Sequence, residues 1–125
     1  MGVKKKFLII IKRPGEEATI GRIGPGLKPW QDLITLGGEK NMVERLSASS
    51  VGLPNDVQIF FNEEGRQFGA PVNFYLTYPN TKQPWDEVRG TAFFMSEKNG
   101  KSKDISPAQC QAILDYLKER SHAQQ

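Results

Sequence analysis

Apolar residues in this chain recur mostly at every second position, in short runs divided by glycine, proline and small polar residues, a period that reads as strands. Residues 7–11, Phe-Leu-Ile-Ile-Ile, form a β-branched run closed by Pro14-Gly15 and predict a central strand. Residues 18–23 predict a second strand, with Ile20 and Ile23 out of strict alternation and Gly21 pointing to a bulge; the two pair as a hairpin across the Pro-Gly turn. Met42, Glu44 and Leu46 set against Val43 and Arg45 suit a brief strand with one wet face, followed by a loop over 47–55. Val57, Ile59 and Phe61 alternate with Gln58 and Asn62 and run into a turn in which Asn62 suits the first position and Gly65 the fourth. Residues 74–78 fit either a strand or a short helical turn, and 79–84 a polar loop.

Residues 88–96 predict an interior strand with Thr91, Phe93 and Met95 on one face and Ala92 and Phe94 on the other, Gly90 marking a bulge or a close backbone approach. Asn99-Gly100 suits a hairpin turn, but no strong strand follows it. Helical spacing occurs twice. Pro29 opens a short helix with Trp30, Leu33, Ile34 and Leu36 on one face, stopped by Gly37-Gly38. Ser106-Pro107-Ala108-Gln109 supplies an N-cap, a first-turn proline and a capping box, and Cys110, Ile113, Leu114 and Leu117 form the apolar stripe behind it. The fold class is therefore α+β: a single compact domain over 1–120, an antiparallel or mixed sheet of about five strands covered by the C-terminal helix, one further short helix, and a frayed tail over 121–125.

Composition narrows the class without naming a chemistry. At 125 residues the chain suits one core, and a net charge of +3 excludes imitation of a nucleic-acid backbone. Its one cysteine, Cys110, allows no internal disulfide and reads as a small core residue. The longest apolar run is too short to cross a bilayer, so a soluble, cytoplasmic protein is expected, with no membrane partner. Lys4, Lys5, Lys6, Lys12 and Arg13 flank the first strand; they read as solubilising ends of an apolar segment, and a nucleic-acid arm is the sharper alternative.

Enzyme chemistry finds little support. There is no Gly-x-Ser-x-Gly elbow, the lone histidine, His122, lies in the tail, and Gly37-Gly38 follows a helix where a phosphate loop would precede one. Glu63 and Glu64 are adjacent turn acids with nothing to hold them across a cleft. No catalytic residue, metal ligand or cofactor is assigned. The densest polar stretch, 57–73, gives the candidate binding residues Asn62, Glu64, Arg66 and Asn73, joined by Arg89 from a neighbouring strand. The two carboxamides offer donors and acceptors, the guanidinium offers a planar fork for carboxylate or phosphate, and Gly65 and Gly69 let backbone approach a ligand.

The order of these features resembles a family of small uncharacterised proteins from bacteriophages, plasmids and other mobile elements, a domain of unknown function. The features are the first strand ending at Pro14-Gly15, the helix closing at Gly37-Gly38, the strand running into Asn62-Glu63-Glu64-Gly65, Pro71 and Asn73, Gly90-Thr91-Ala92-Phe93, and the final short helix. The chain departs from that pattern at Phe74, where a basic residue is usual, and in a longer loop over 77–87. The resemblance implies a mobile-element origin within a bacterial host and no established reaction. The expectation is a binding protein that interferes with or retunes a host system, antiviral defence among them, by capturing a host protein or a small polar or anionic ligand. The alternative is an accessory protein that binds nucleic acid weakly and without sequence preference. The sequence leaves homo-oligomerisation open.

Overall fold

The computed structural model describes residues 6–24, 29, 30, 33, 43–62 and 69–121. Glu63, Glu64, Gly65 and Arg66, the Gly37-Gly38 pair, Ile34, Leu36, Met42, Lys4, Lys5 and His122 lie outside them. Eight strands form among the described residues: β1 (Phe7–Lys12), β2 (Thr19–Ile23), β3 (Val43–Ser47), β4 (Val57–Asn62), β5 (Val72–Thr77), β6 (Pro84–Arg89), β7 (Ala92–Lys98) and β8 (Lys101–Lys103). A 3-10 turn, Ala48–Val51, sits in the expected loop, and the helix α1 spans Pro107–Arg120.

Six strands make one sheet in the order β2-β1-β7-β4-β3, with β8 added to β7, while β5 and β6 pair separately as a ribbon. Every pairing is antiparallel. The sheet has two dry faces, which explains why its strands carry more apolar residues than a half-wet sheet needs. On one face Ile10, Ile59 and Phe94 meet Phe74, Leu76 and Val88 of the ribbon and Ile113, Tyr116 and Leu117 of α1. On the other, Ile9, Ile23, Phe60, Phe93 and Met95 are packed by Trp30 and Leu33, which are helical as expected. Phe60 and Phe93 stack with centroids 4.8 Å apart, and Trp30 tilts onto Phe60 at 4.9 Å.

The expected strands β1, β4 and β7 are indeed neighbours, with β7 in the middle and β1 between it and β2. The segment 88–96 is not one strand. Gly90 takes φ 78, a conformation open chiefly to glycine, and there the chain leaves the ribbon and enters the sheet. The expected bulge at Gly21 is absent, since β1 and β2 pair in unbroken register. A Cβ at that position would stand 2.7 Å from Ile11 Cδ1, so glycine makes room for a neighbouring side chain.

Residues 74–77 belong to strand β5, with Tyr78 just past its end, and a strand does follow Asn99-Gly100. Both turn residues are left-handed, at φ 53 and 77, as a tight hairpin requires. Backbone pairing with β7 forms β8, whose Lys-Ser-Lys carries no apolar pattern to read.

The capping box of α1 forms as expected: Gln109 N donates to Ser106 Oγ at 3.1 Å, and Ser106 N to Gln109 Oε1 at 2.9 Å. At its far end Tyr116 Oη donates to Tyr75 O, Arg120 Nε donates to Thr77 Oγ1 at 2.8 Å, and Ser121 bridges Phe74. These bonds fasten the helix along β5 and leave one side of it facing the loop between β1 and β2.

Candidate functional site

Strand parity places Lys12 on the same sheet face as Ile10, beside Ala92, where an apolar residue would be expected. It is 3% exposed, which corrects its reading as a solvated strand end. Its amine donates to Arg13 O at 2.9 Å and to Asn73 Oδ1 at 3.0 Å. The Asn73 amide in turn donates to Lys12 O at 2.7 Å and Gly90 O at 2.8 Å, so one fully buried carboxamide ties the end of β1, the start of the ribbon and the ribbon-to-sheet crossing together. Arg13 O also accepts from Glu16 N at 3.1 Å, which draws the β1–β2 loop over the amine.

Between this loop and α1 lies a cleft of about 540 Å³. Gly15, Glu16, Glu17 and Ala18 form one wall; Leu114, Leu117, Lys118 and Ser121 form the other; Lys12 lines it between them. The size and the apolar lining with a few polar groups are those of a small-molecule site. Burial pushes the Lys12 pKa below its ordinary 10.5, and the negative charge of Glu16 offsets part of that shift. Between the lowered folded value and 10.5 the unfolded chain holds a proton that the folded chain has released, so stability rises with pH through that window, and the burial cost is full below it. Urea denaturation followed from neutral pH up to 10.5 should show this rise in the wild type, and Lys12→Met should flatten it. An identical slope in both proteins would mean that Lys12 keeps its ordinary affinity for a proton.

The five residues expected to bind fall in different places. Asn62 ends β4, half-buried and opposite Val43, while Glu64 and Arg66 lie outside the described residues. Asn73 and Arg89 lie at the same end of the ribbon, but their side chains bond different partners. Asn73 points into the core network, and Arg89 reaches Glu87 Oε2 at 2.7 Å and Ala70 O at 3.1 Å. Arg89 belongs to a second, shallow groove of about 500 Å³ with Tyr75, Pro84, Trp85, Asp86 and Glu87.

Lys12, Glu16, Leu114 and Lys118 were not among the expected binding residues. The one sequence signal for Lys12 is its parity with Ile10, and a charge cluster hid it: five cations around an apolar strand look alike until the structure buries one of them. The apolar stripe of α1 also divides. Ile113, Tyr116 and Leu117 are buried, whereas Cys110 and Leu114 are only partly so, and Leu114 turns to the cleft.

Among the described residues no group of histidine, cysteine and acidic side chains could hold a metal ion, and no helix is long and apolar enough to cross a membrane. The chain belongs to the family described as a domain of unknown function, DUF3846, whose model matches residues 6–118. Comparison with curated proteins and with solved structures finds no match.

Proposed function

We propose that this member of a family of unknown function is a binding module that captures a small ligand with a polar, acceptor-rich head and a short apolar body in the cleft beside Lys12. The observation that carries this reading is a buried amine lining a cleft of small-molecule size whose other walls include Ala18, Leu114 and Leu117. The amine and Lys118 would bond a carboxylate-type head, and the aliphatic side chains would take the body. In a chain of mobile-element origin, such capture would withdraw a host metabolite and so retune a host system. No reaction is required of the site.

Hexanoate is a suitable probe, with one carboxylate and a short chain. Titrated into labelled protein, it is expected to shift the amide resonances of Gly15, Ala18, Leu114 and Leu117 together, with a dissociation constant on the order of millimolar. Leu114→Glu, which sets a carboxylate in the wall, should abolish the shifts. Shifts confined to other surfaces, or none, would move the working site away from this cleft.

A second reading has its own observation: Lys98, Lys101 and Lys103 are all exposed on the β7–β8 hairpin. They could neutralise phosphates without reading bases. Duplex and single-stranded DNA should then bind weakly, with loss of affinity as salt rises and no sequence preference. Tight, salt-resistant, sequence-selective binding would place nucleic acid ahead of the small ligand.

A further inference from the structure

We propose that the Lys12 amine captures a short-chain 2-oxo acid covalently, as a Schiff base, within the cleft between the β1–β2 loop and α1. The inference rests on the cleft being the binding site and adds the chemistry of its ligand. A lysine becomes a nucleophile when a site strips it of water and no carboxylate is hydrogen-bonded to it to hold its proton. Lys12 meets the first condition by burial, and both oxygens that hold it, Arg13 O and Asn73 Oδ1, are uncharged. In the neutral amine those two bonds use both N–H groups, so the remaining tetrahedral position on nitrogen carries the lone pair. The lowered pKa agrees with this, since it raises the share of neutral amine near neutral pH.

The surrounding groups match the proposed ligand class. Lys118, exposed on α1 at the cleft, suits the carboxylate, and Leu114, Leu117 and Ala18 suit an aliphatic chain. Glu16 lines the same cleft and is the acid whose charge reaches Lys12. In the first step the nitrogen lone pair attacks the 2-oxo carbon, a C–N bond forms, and the carbonyl π electrons pass to oxygen. That oxygen gains a proton and the nitrogen loses one, giving a carbinolamine. Glu16 takes the proton from nitrogen and returns it to the hydroxyl, which leaves as water while the C=N bond forms. Amine and ketone become imine and water, with no change of oxidation state and no further reactant. The neutral imine so formed takes a proton from solvent water on its nitrogen, and that N–H can bond Asn73 Oδ1 or Arg13 O.

The test uses the intact chain with 2-oxohexanoate and cyanoborohydride near neutral pH, followed by peptide mapping of the reduced secondary amine. Lys12 is expected to be modified severalfold faster than the average of the other lysines, since a lowered pKa leaves more free amine. Excess hexanoate should suppress that labelling. Lys118→Met, a change at an exposed position, should slow it severalfold without abolishing it. The charged groups around the amine are Glu16 and Glu17 from the loop and Lys118 from the helix. As pH is lowered, labelling at Lys12 should persist after that of surface lysines has faded. Labelling spread evenly over the lysines, or confined to Lys118, overturns the proposal. If hexanoate still shifts the cleft resonances in that case, only the covalent step falls; if it does not, the binding reading falls with it.

Discussion

Asn73→Ala is expected to cost about 3 kcal/mol of stability and to lower the melting temperature by on the order of 10 °C. The side chain is fully buried and makes three hydrogen bonds: one accepted from the Lys12 amine, one donated to Lys12 O and one donated to Gly90 O. Alanine leaves two carbonyls without those donors, and it also takes an acceptor from a buried amine, which is the dearer loss because a charged or strongly polar donor desolvates poorly. A surface ligand-binding asparagine would behave differently, since its removal leaves water to satisfy its partners. Calorimetry of the variant therefore separates the two roles. A melting temperature within a degree or two of wild type would mean that the Lys12–Asn73–Gly90 network does not hold the ribbon to the sheet. The alkaline stability profile should change as well, because Asn73 Oδ1 is one of the two acceptors bonded to the Lys12 amine among the described residues.

Ile113→Asp should be the most damaging single change on α1, with a loss of more than about 4 kcal/mol, enough to unfold a domain of ordinary stability. Ile113 is fully buried among residues of the sheet, the ribbon and the helix, so an aspartate there has neither water nor a cation. The neighbouring Leu114→Asp should cost less than half as much, since Leu114 is only partly buried and lines the cleft, where its substituent can be hydrated. Circular dichroism during thermal melting would read both. Equal losses would mean that the helix faces have been assigned to the wrong sides.

The two aspartate variants also mark where the sequence stops. Cys110, Ile113, Leu114 and Leu117 share one helical stripe, and spacing alone treats them as equivalent. Which of them seals the core and which opens to a cleft depends on the β1–β2 loop, a segment that lies about a hundred residues away in the chain and enters no local pattern. The same holds for Asn73. Its position after a proline and a glycine-rich turn makes it look like a ligand-binding carboxamide, and only the arrival of β1 turns it into the fastening of a buried lysine.

What the sequence determined by itself was whatever short-range physics controls. The alternation in 57–62 and 92–96 specified strands and their faces, because a period of two is a property of the extended backbone. The capping box at Ser106 and Gln109 specified where the final helix begins, because its partners are three residues apart. The tertiary structure decided the rest: that Gly90 breaks one apolar run into a ribbon strand and a sheet strand, that both sheet faces are covered, and that one of five clustered cations is buried. Each of these depends on contacts between residues far apart in the chain. A lysine carries the same side chain whether water or a protein core surrounds it, so its chemistry is set by the neighbours that folding brings to it.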